Sequence, residues 1–271
     1  MDISSKSAKE VKEELKEVLD NIQEYYFSGK VQSIKDILQK DTRKSIQSIY
    51  KSLENKIKKL EDEIKRVRSM YEFDNSYGKD KIIAGIDEVG RGPLAGPIVS
   101  AAVILDRNIL KDQDLLLGIK DSKKLSLAER ERLYDIIIEK ALDYSISLID
   151  NKVIDARGIA WCNNEIFKRD VLSLKIEPNF ILCDGYKIRD FHIESEAVIK
   201  GDNKSASIAC ASILAKVYRD RMMKEYDKEY PQYDFLNNVG YGTKVHIESL
   251  KKYGYCDIHR KSFIKNLIKP D

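Results

Sequence analysis

The first part of the chain repeats apolar residues with the period of a helix. One stripe has the spacing of a single buried helical face and consists of Val11, Leu15, Val18 and Ile22. A second stripe steps by three and four residues, the period of a coiled-coil seam, through Tyr50, Leu53, Ile57, Leu60, Ile64, Val67 and Tyr71. Gly29 and the polar stretch Gln39–Lys44 are candidate breaks between helices. The pattern predicts two or three helices over residues 5–72.

Two interpretations of these N-terminal helices remain open. They form a helical hairpin that packs on itself or on the rest of the chain, as amphipathic helices usually do, or an arm that docks on a protein partner or a nucleic acid. Acidic and basic residues are nearly balanced in this part of the sequence, so its charge does not favour either interpretation.

After a polar, glycine-containing segment at 74–80, the pattern changes to short apolar runs that are typical of buried strands. These runs are Ile82–Ile86, Ile98–Leu105, Tyr144–Ile149 and Phe180–Cys183, with a short segment at Glu196–Lys200. Helices are predicted from the capping box of Ser126 and Glu129 to about Lys140, and over Ile159–Leu174 and Ala206–Tyr226. Strands that come first in succession and then alternate with helices predict an α/β fold, a mixed sheet flanked by helices.

Composition narrows the class of protein. The 271 residues include 48 Lys and Arg against 45 Asp and Glu, a net charge of +3, which excludes a strongly basic tail but leaves room for a local basic groove. No apolar run is long enough to suggest a membrane span, and the N-terminal residues lack the apolar segment of a secretory signal. We therefore expect a cytoplasmic protein.

Carboxylates occur where the predicted strands end. Asp87 and Glu88 follow the first strand, Asp184 follows the run at 180–183, and Asp202 precedes the long helix. Adjacent side chains of a strand point to opposite faces, so one of the first two acids faces whatever covers the sheet, where an unpaired charge is unfavourable. Divalent ions such as Mg²⁺ and Mn²⁺ would remove that penalty, and such sites commonly serve phosphoryl transfer with two ions. A polar turn between two strands remains the alternative for the first pair.

Two glycines bracket a cation directly after the first acid pair. Gly90 and Gly92 would let the backbone approach a ligand closely, with Arg91 as a fixed positive charge between them. Four further polar residues, in the Asp121–Ser126 segment and beside Asp202, are candidates for binding phosphate: Lys123, Lys124, Lys204 and Ser205. A locally basic C-terminal segment is a candidate phosphate-tracking face, although a solvated helical face fits any single residue equally well: Lys251, Lys252, Arg260, Lys261, Lys265 and Lys269.

These segments together resemble bacterial ribonuclease HII, in the form with a helical N-terminal extension. The resemblance runs in order from about Ile82 to Phe263, through IAGIDEVGRGPLAGPIVSAAVIL, DSKKLS, ILCDG, KGDNKSASIACASILAKVYRDRMM, GYGTKVH and HRKSF. It implies a ribonuclease H-like mixed five-stranded sheet flanked by helices, with a small helical C-terminal part. The domains would be a helical extension at 1–75 and a catalytic domain at 76–271. Type three ribonuclease H is the nearest competitor, but it would carry a different residue at Arg91 and a larger, mixed N-terminal domain.

The resemblance also implies an activity. It implies Mg²⁺- or Mn²⁺-dependent hydrolysis of RNA paired with DNA, including incision on the 5′ side of ribonucleotides embedded in duplex DNA, with 5′-phosphate products. The family's acids, both catalytic and metal-binding, fall on Asp87, Glu88, Asp184 and Asp202. Its Gly-Arg-Gly motif, which contacts the 2′-hydroxyl, falls on residues 90–92, and the tyrosine that packs against the next sugar falls on Tyr241. A non-catalytic nucleic-acid-binding protein, or a protein that recruits a partner through its N-terminal helices, is the alternative.

Overall fold

The computed structural model describes residues 3–109 and 111–267. The chain divides into two compact units, Met1–Arg68 with Ile109–Leu117 and Ser69–Asn108 with Gly118–Asp271. This division falls inside a helix and not in the predicted polar segment 74–80, because that helix continues through Asn75. Within the described ranges, no helix combines the length and apolar character needed to span a bilayer.

Four helices occupy the described part of the N-terminal segment: α1 Ala8–Asp20, α2 Ile22–Phe27, α3 Lys30–Gln39 and α4 Lys44–Asn75. Both predicted breaks are confirmed, since Gly29 separates α2 from α3 and the stretch after Gln39 separates α3 from α4. A further break at Asn21, whose backbone is not helical, makes one helix more than predicted.

The helical unit buries its own apolar stripe. Val11 and Leu15 of α1 are fully buried and pack in one cluster with Leu38 of α3 and with Ile46 and Leu53 of α4. This packing is the one expected of a helical hairpin that packs on itself, and it accounts for the first predicted stripe and for the second as far as Ile57.

The second unit contains a five-stranded mixed sheet, as predicted. Its strands are β1 Ile83–Val89, β2 Ile98–Ile104, β3 Asp143–Ile149, β4 Phe180–Asp184 and β5 Ser195–Val198. They lie in the order β3-β2-β1-β4-β5, with β2 antiparallel to both neighbours and β4 parallel to both of its neighbours. The carboxyl ends of β1 and β4 therefore meet at one edge of the sheet.

Helices cover the sheet and complete the C-terminal part. They are α5 Leu127–Lys140, α6 Asn151–Arg157, α7 Ile159–Ser173, α8 Ala206–Glu229, α9 Phe235–Asn238, α10 Lys244–Tyr253 and α11 Lys261–Ile264. Residues of α7 pack in one cluster with Ile86 and Cys183, whereas Ile208 of α8 packs in another with Ile83 and Leu182. Alternate residues of β1 and β4 thus face the two helices from opposite sides of the sheet.

Gly85 lets α8 lie directly on β1. A Cβ atom at this position would be 2.3 Å from the carbonyl carbon of Ser207 and 2.4 Å from the amide nitrogen of Ile208. Since neither backbone atom can move aside, only glycine fits. This contact fixes how far the strand that carries Asp87 lies from the first turn of the helix that follows Asp202.

Two predicted boundaries are wrong near the acids. The first strand was expected to end at Ile86, but β1 continues to Val89 because β2 pairs with it over that whole length, with Asp87 opposite Ala101 and Glu88 opposite Ser100. The segment at 74–80 was expected to be a polar link, but its first residue, Asp74, is fully buried at the end of α4. Both deviations come from tertiary partners that no local pattern records.

Candidate active site

The structure brings the four predicted acids to one end of the sheet. Asp87 and Glu88 lie near the end of β1, and Asp184 is the last residue of β4. Ile86 pairs with Cys183, so Asp87 and Asp184 follow at neighbouring positions of two parallel strands. Asp202 lies in the short 3₁₀ turn Gly201–Asn203 just before α8.

Asp87 faces the side of the sheet that α8 covers. It is 8% exposed, one of its oxygens accepts a hydrogen bond from the backbone N–H of Glu88 at 2.7 Å, and Ser212 of α8 donates to it as well. Burial raises the pKa of Asp87 above its usual range, and the neighbouring carboxylate of Asp184 raises it further. The position favours the neutral acid unless a cation is present.

Glu88 points to the opposite face of the sheet, and its carboxylate has fewer hydrogen-bond partners than that of Asp87. Its side chain is 7% exposed, and Oε1 lies 3.4 Å from Nη1 of Arg91. The other oxygen, Oε2, is buried with no hydrogen-bond partner among the described residues. Burial, and then repulsion by Asp87, raise the pKa of Glu88. A buried carboxylate oxygen without a partner is the feature that a bound cation would satisfy.

The other two acids are held by local hydrogen bonds. Asp184 accepts from the backbone N–H of Gly201 at 2.7 Å, and Asp202 accepts from the side-chain amide of Asn203 at 2.6 Å. Burial raises the pKa of Asp202, followed by repulsion from Asp184 and from Asp121. Asp121 is therefore a fifth carboxylate near the site, in a segment that the sequence analysis considered only as a source of cations.

The acids do not yet form a closed cage. Within residues 3–109 and 111–267, no three His, Cys, Asp or Glu side chains have an arrangement that could hold a metal ion. One oxygen of Asp184 accepts from Gly201, and Oε1 of Glu88 contacts Arg91, which leaves Oε2 of Glu88 for an ion. The donor set nevertheless fits a divalent cation, because it consists of oxygens, is largely buried and is electrostatically strained without one.

The turn after the acids carries the predicted cation. The guanidinium of Arg91 lies 4.2 Å from the ring centroid of Tyr186 and contacts Glu88 on its other side. Gly90 has φ +92°, and a Cβ there would lie 2.4 Å from Nε of Arg219, so this turn needs glycine. Tyr186 was missed by the sequence analysis because the segment after Asp184 shows no motif.

Tyr241 lies beside this turn, as a shared substrate site requires. Its side chain is 43% exposed, and a Cβ at Gly92 would be only 3.8 Å from its ring. The backbone N–H of Leu94 donates to the carbonyl of Gly240 at 2.8 Å, which ties the two loops together. The structure thus places the predicted 2′-hydroxyl sensor and the predicted sugar contact side by side.

Two buried arginines connect these loops, and sequence reasoning missed both. Arg219 and Arg260 are fully buried and donate to backbone carbonyls. The carbonyls bound by Arg260 are those of Gly90, Arg91 and Gly96, and those bound by Arg219 are those of Ala95, Pro97 and Val239. The prediction that Arg260 lies on a phosphate-tracking face is therefore wrong. An arginine in a basic segment carries no sequence signal that it is buried.

The predicted phosphate ligands separate into two groups. Lys123 and Lys204 are exposed, and the segment of Lys123 is tied to the Asp202 turn because Lys124 donates to Asn203 at 2.7 Å. Ser205 is fully buried, and its hydroxyl caps α8 by accepting from the backbone N–H of Ile208 at 3.2 Å, which argues against contact with a phosphate. The remaining described lysines of the basic C-terminal segment are exposed: Lys251, Lys252, Lys261 and Lys265. Lys269 lies outside the described residues.

Comparison with known proteins points to one family. The family model of ribonuclease HII matches residues 84–266, and the model of the ribonuclease HII N-terminal domain matches residues 7–78. The ribonuclease HII of Clostridium beijerinckii is 53% identical over 267 residues, which are 98% of this chain and 98% of that protein.

Solved structures share the fold. The ribonuclease H2 of Pyrococcus horikoshii OT3 superimposes with a TM-score of 0.58 at 30% identity and covers 68% of this chain and 96% of that one. Bst-RNase HIII in complex with Mn²⁺ superimposes with a TM-score of 0.53 at 22% identity, over 64% of this chain and 63% of that one. The second likeness concerns the fold alone.

Proposed function

This chain belongs to the ribonuclease HII family, and from that premise we propose that it incises duplex DNA on the 5′ side of embedded ribonucleotides and hydrolyses the RNA strand of RNA/DNA hybrids. It is a ribonuclease H, a metal-dependent endonuclease. The observation that carries the proposal is the buried pair Asp87 and Glu88, with an unpartnered oxygen on Glu88, next to the Gly-Arg-Gly turn.

Asp87, Glu88, Asp184 and Asp202 would hold two divalent ions, Mg²⁺ or Mn²⁺. Such ions supply Lewis acidity for phosphodiester hydrolysis when they are bound. The chain's own contribution is a set of carboxylates brought together by β1, β4 and the turn before α8. Burial and mutual repulsion raise the pKa of Asp87, Glu88 and Asp202. Divalent ions must therefore compete with protons for these carboxylates, and metal binding should strengthen as the pH rises.

The turn at 90–92 would recognise the ribonucleotide. A 2′-hydroxyl distinguishes RNA from DNA, and the backbone at Gly90 and Gly92 can approach it closely. Arg91, held between Glu88 and Tyr186, would face the adjoining phosphate. Tyr241 would pack against the following deoxyribose, since its partly exposed ring flanks Gly92.

Exposed lysines would follow the backbone of the substrate. Lys123 and Lys204 lie in two segments close to Asp202. Their positive charge would offset the repulsion between the phosphates of the duplex and the five carboxylates. We leave Ser205 out of this set because it is buried.

A duplex with one embedded ribonucleotide tests the proposal. The wild-type protein with Mg²⁺ or Mn²⁺ should nick it on the 5′ side of the ribonucleotide, leave a 5′-phosphate and spare an all-DNA duplex of the same sequence. Asp87→Asn should abolish the nick but retain duplex binding. The matched control is Asp135→Asn, on the exposed face of α5, which should cut normally. Equal cutting of both duplexes, or full activity of Asp87→Asn, would contradict the proposal.

A further inference from the structure

Two fully buried histidines form a hydrogen-bonded chain beneath the Tyr241 loop. His246 lies on α10, and His259 lies just before α11. Their Nε2 atoms are 2.9 Å apart. At the outer ends, Nδ1 of His246 lies 2.8 Å from the carbonyl oxygen of Tyr241, and Nδ1 of His259 lies 2.9 Å from the backbone nitrogen of Cys256.

The partners at the two ends fix every proton in this chain. A carbonyl only accepts, so Nδ1 of His246 carries a hydrogen and donates it to Tyr241. A backbone N–H only donates, so Nδ1 of His259 is bare and accepts from Cys256. The bond between the rings then has one solution, in which Nε2–H of His259 donates to the bare Nε2 of His246. Both rings are neutral, and each ring nitrogen is used.

Aromatic packing holds the two rings in place. Tyr233 meets His259 edge-on at 4.7 Å between ring centroids, and Phe235 meets His246 edge-on at 5.3 Å. Burial lowers the pKa of both histidines, that of His259 to about 4, which agrees with the neutral state required by the hydrogen bonds. The rings therefore act as rigid spacers with a fixed direction.

The residue after His259 reaches the other half of the substrate site. Arg260 donates to the carbonyls of Gly90 at 2.6 Å and Arg91 at 3.1 Å. Two adjacent residues of the C-terminal segment thus support both the Tyr241 loop and the Gly-Arg-Gly turn. His259 reaches Tyr241 through His246, while Arg260 reaches the Gly-Arg-Gly turn directly.

We propose that His246 and His259 are positioning residues that set the distance between Tyr241 and the Gly-Arg-Gly turn, and thereby set the preference for a ribonucleotide followed by a deoxyribonucleotide. The inference rests on the proposed function, since it assigns selectivity to the loop that faces the second sugar. Neither histidine contacts the substrate. They act through the backbone of Tyr241, whose side chain would meet the deoxyribose.

The test compares two variants of His246 that differ in one hydrogen bond. His246→Phe keeps a ring but removes both bonds, whereas the side-chain amide of His246→Asn can still donate to the carbonyl of Tyr241. Tyr233→Phe is the matched control, because it removes a hydroxyl that binds Gly254 at 3.0 Å within the same cluster but has no bond to Tyr241. Thermal midpoints are measured for all variants, and kcat and KM are measured on a single-ribonucleotide duplex and on an all-RNA/DNA hybrid.

His246→Phe should lower kcat/KM about tenfold on the single-ribonucleotide duplex relative to the hybrid. His246→Asn should restore most of the wild-type ratio of the two kcat/KM values. Tyr233→Phe should leave that ratio unchanged even if its thermal midpoint is lower. The inference is overturned if His246→Phe and Tyr233→Phe both lower kcat/KM to the same extent on the two substrates. It is also overturned if the ratio of the two kcat/KM values for His246→Phe equals that of the wild type. A wild-type protein that does not cut the single-ribonucleotide duplex refutes the proposed function instead. If His246→Phe does not fold, the comparison of His246→Asn with His246→Leu decides, since the two side chains have similar size and only asparagine retains a donor to the carbonyl of Tyr241.

Discussion

The carboxylate of Asp74 accepts a hydrogen bond from the backbone N–H of Ser207 at 2.9 Å, so the last turn of α4 caps the first turn of α8. Negative charge is favourable at the N-terminus of a helix, but Asp74 is fully buried, and burial is the larger effect. It raises the pKa of Asp74 to about 6.

This pKa makes the stability contributed by Asp74 depend on pH in a defined window. The folded protein binds the proton more tightly than the unfolded chain, so stability from this group is greatest at low pH and is lost as the pH rises through about 4 to 6. Asp74→Asn removes the buried charge and keeps an acceptor. We expect its free energy of unfolding to gain about 2–3 kcal/mol relative to the wild type between pH 4 and pH 7. Urea denaturation at several pH values measures this difference, and a constant difference would contradict the prediction.

Neutralising Glu88 should separate stability from activity. Glu88→Gln removes a buried charge whose second oxygen has no partner among the described residues, so the metal-free protein should gain about 1–3 kcal/mol at pH 8. The same change should abolish cleavage and weaken the rise in thermal midpoint that Mn²⁺ gives the wild type. Glu139→Gln, on the exposed end of α5, is the control and should change none of the three readouts. A less stable Glu88→Gln protein would argue that this carboxylate is already compensated.

Removing the guanidinium of Arg260 should destabilise the protein because its hydrogen bonds all go to backbone carbonyls of the loops beside the site. Arg260→Met leaves two buried carbonyls and one partly buried carbonyl without their donor, and we expect a loss of about 3 kcal/mol or more. Lys261→Met removes an exposed cation one residue later and should cost little. Equal losses in chemical denaturation would show that charge in this segment matters and that the hydrogen bonds do not.

Much of the fold follows from local pattern, whereas the supports of the site do not. The capping box of Ser126 and Glu129 and the apolar run at 98–105 were sufficient to predict α5 and β2. Asp87 and Glu88 were expected at a strand end, and only pairing with β2 shows that they lie within β1. Arg260 shows the limit most clearly, because its burial depends on carbonyls about 170 residues away along the chain.

The position of a truncation should matter within a few residues. A chain that begins at Ser69 keeps the buried side chains Met70, Tyr71 and Asp74, whereas one that begins at Ser76 loses them and with them the cap on α8. We expect the shorter chain to unfold at lower urea concentration and to lose activity. If both truncated chains have the same unfolding midpoint, the end of α4 does not support the catalytic unit.

Lys123 and Lys204 should each contribute to the salt dependence of duplex binding. In an Asp87→Asn background that does not cut, Lys123→Met and Lys204→Met should each reduce the slope of log affinity against log salt by about 1, because each releases one fewer counterion. Lys140→Met, exposed at the end of α5, should leave the slope unchanged. An unaltered slope for Lys123→Met or Lys204→Met would remove that lysine from the phosphate contacts.

The buried bonds from Arg260 to the turn at Gly90 and Arg91 have a consequence for the newly made protein. Every carboxylate of the site, from Asp87 to Asp202, leaves the ribosome well before Arg260 does. A nascent chain can therefore assemble its acidic centre while the Gly-Arg-Gly turn, which we propose recognises the ribonucleotide, still lacks its support. On that proposal, selectivity would be acquired last, when the C-terminal segment docks, and an incompletely synthesised chain would have the carboxylates without a supported turn beside them.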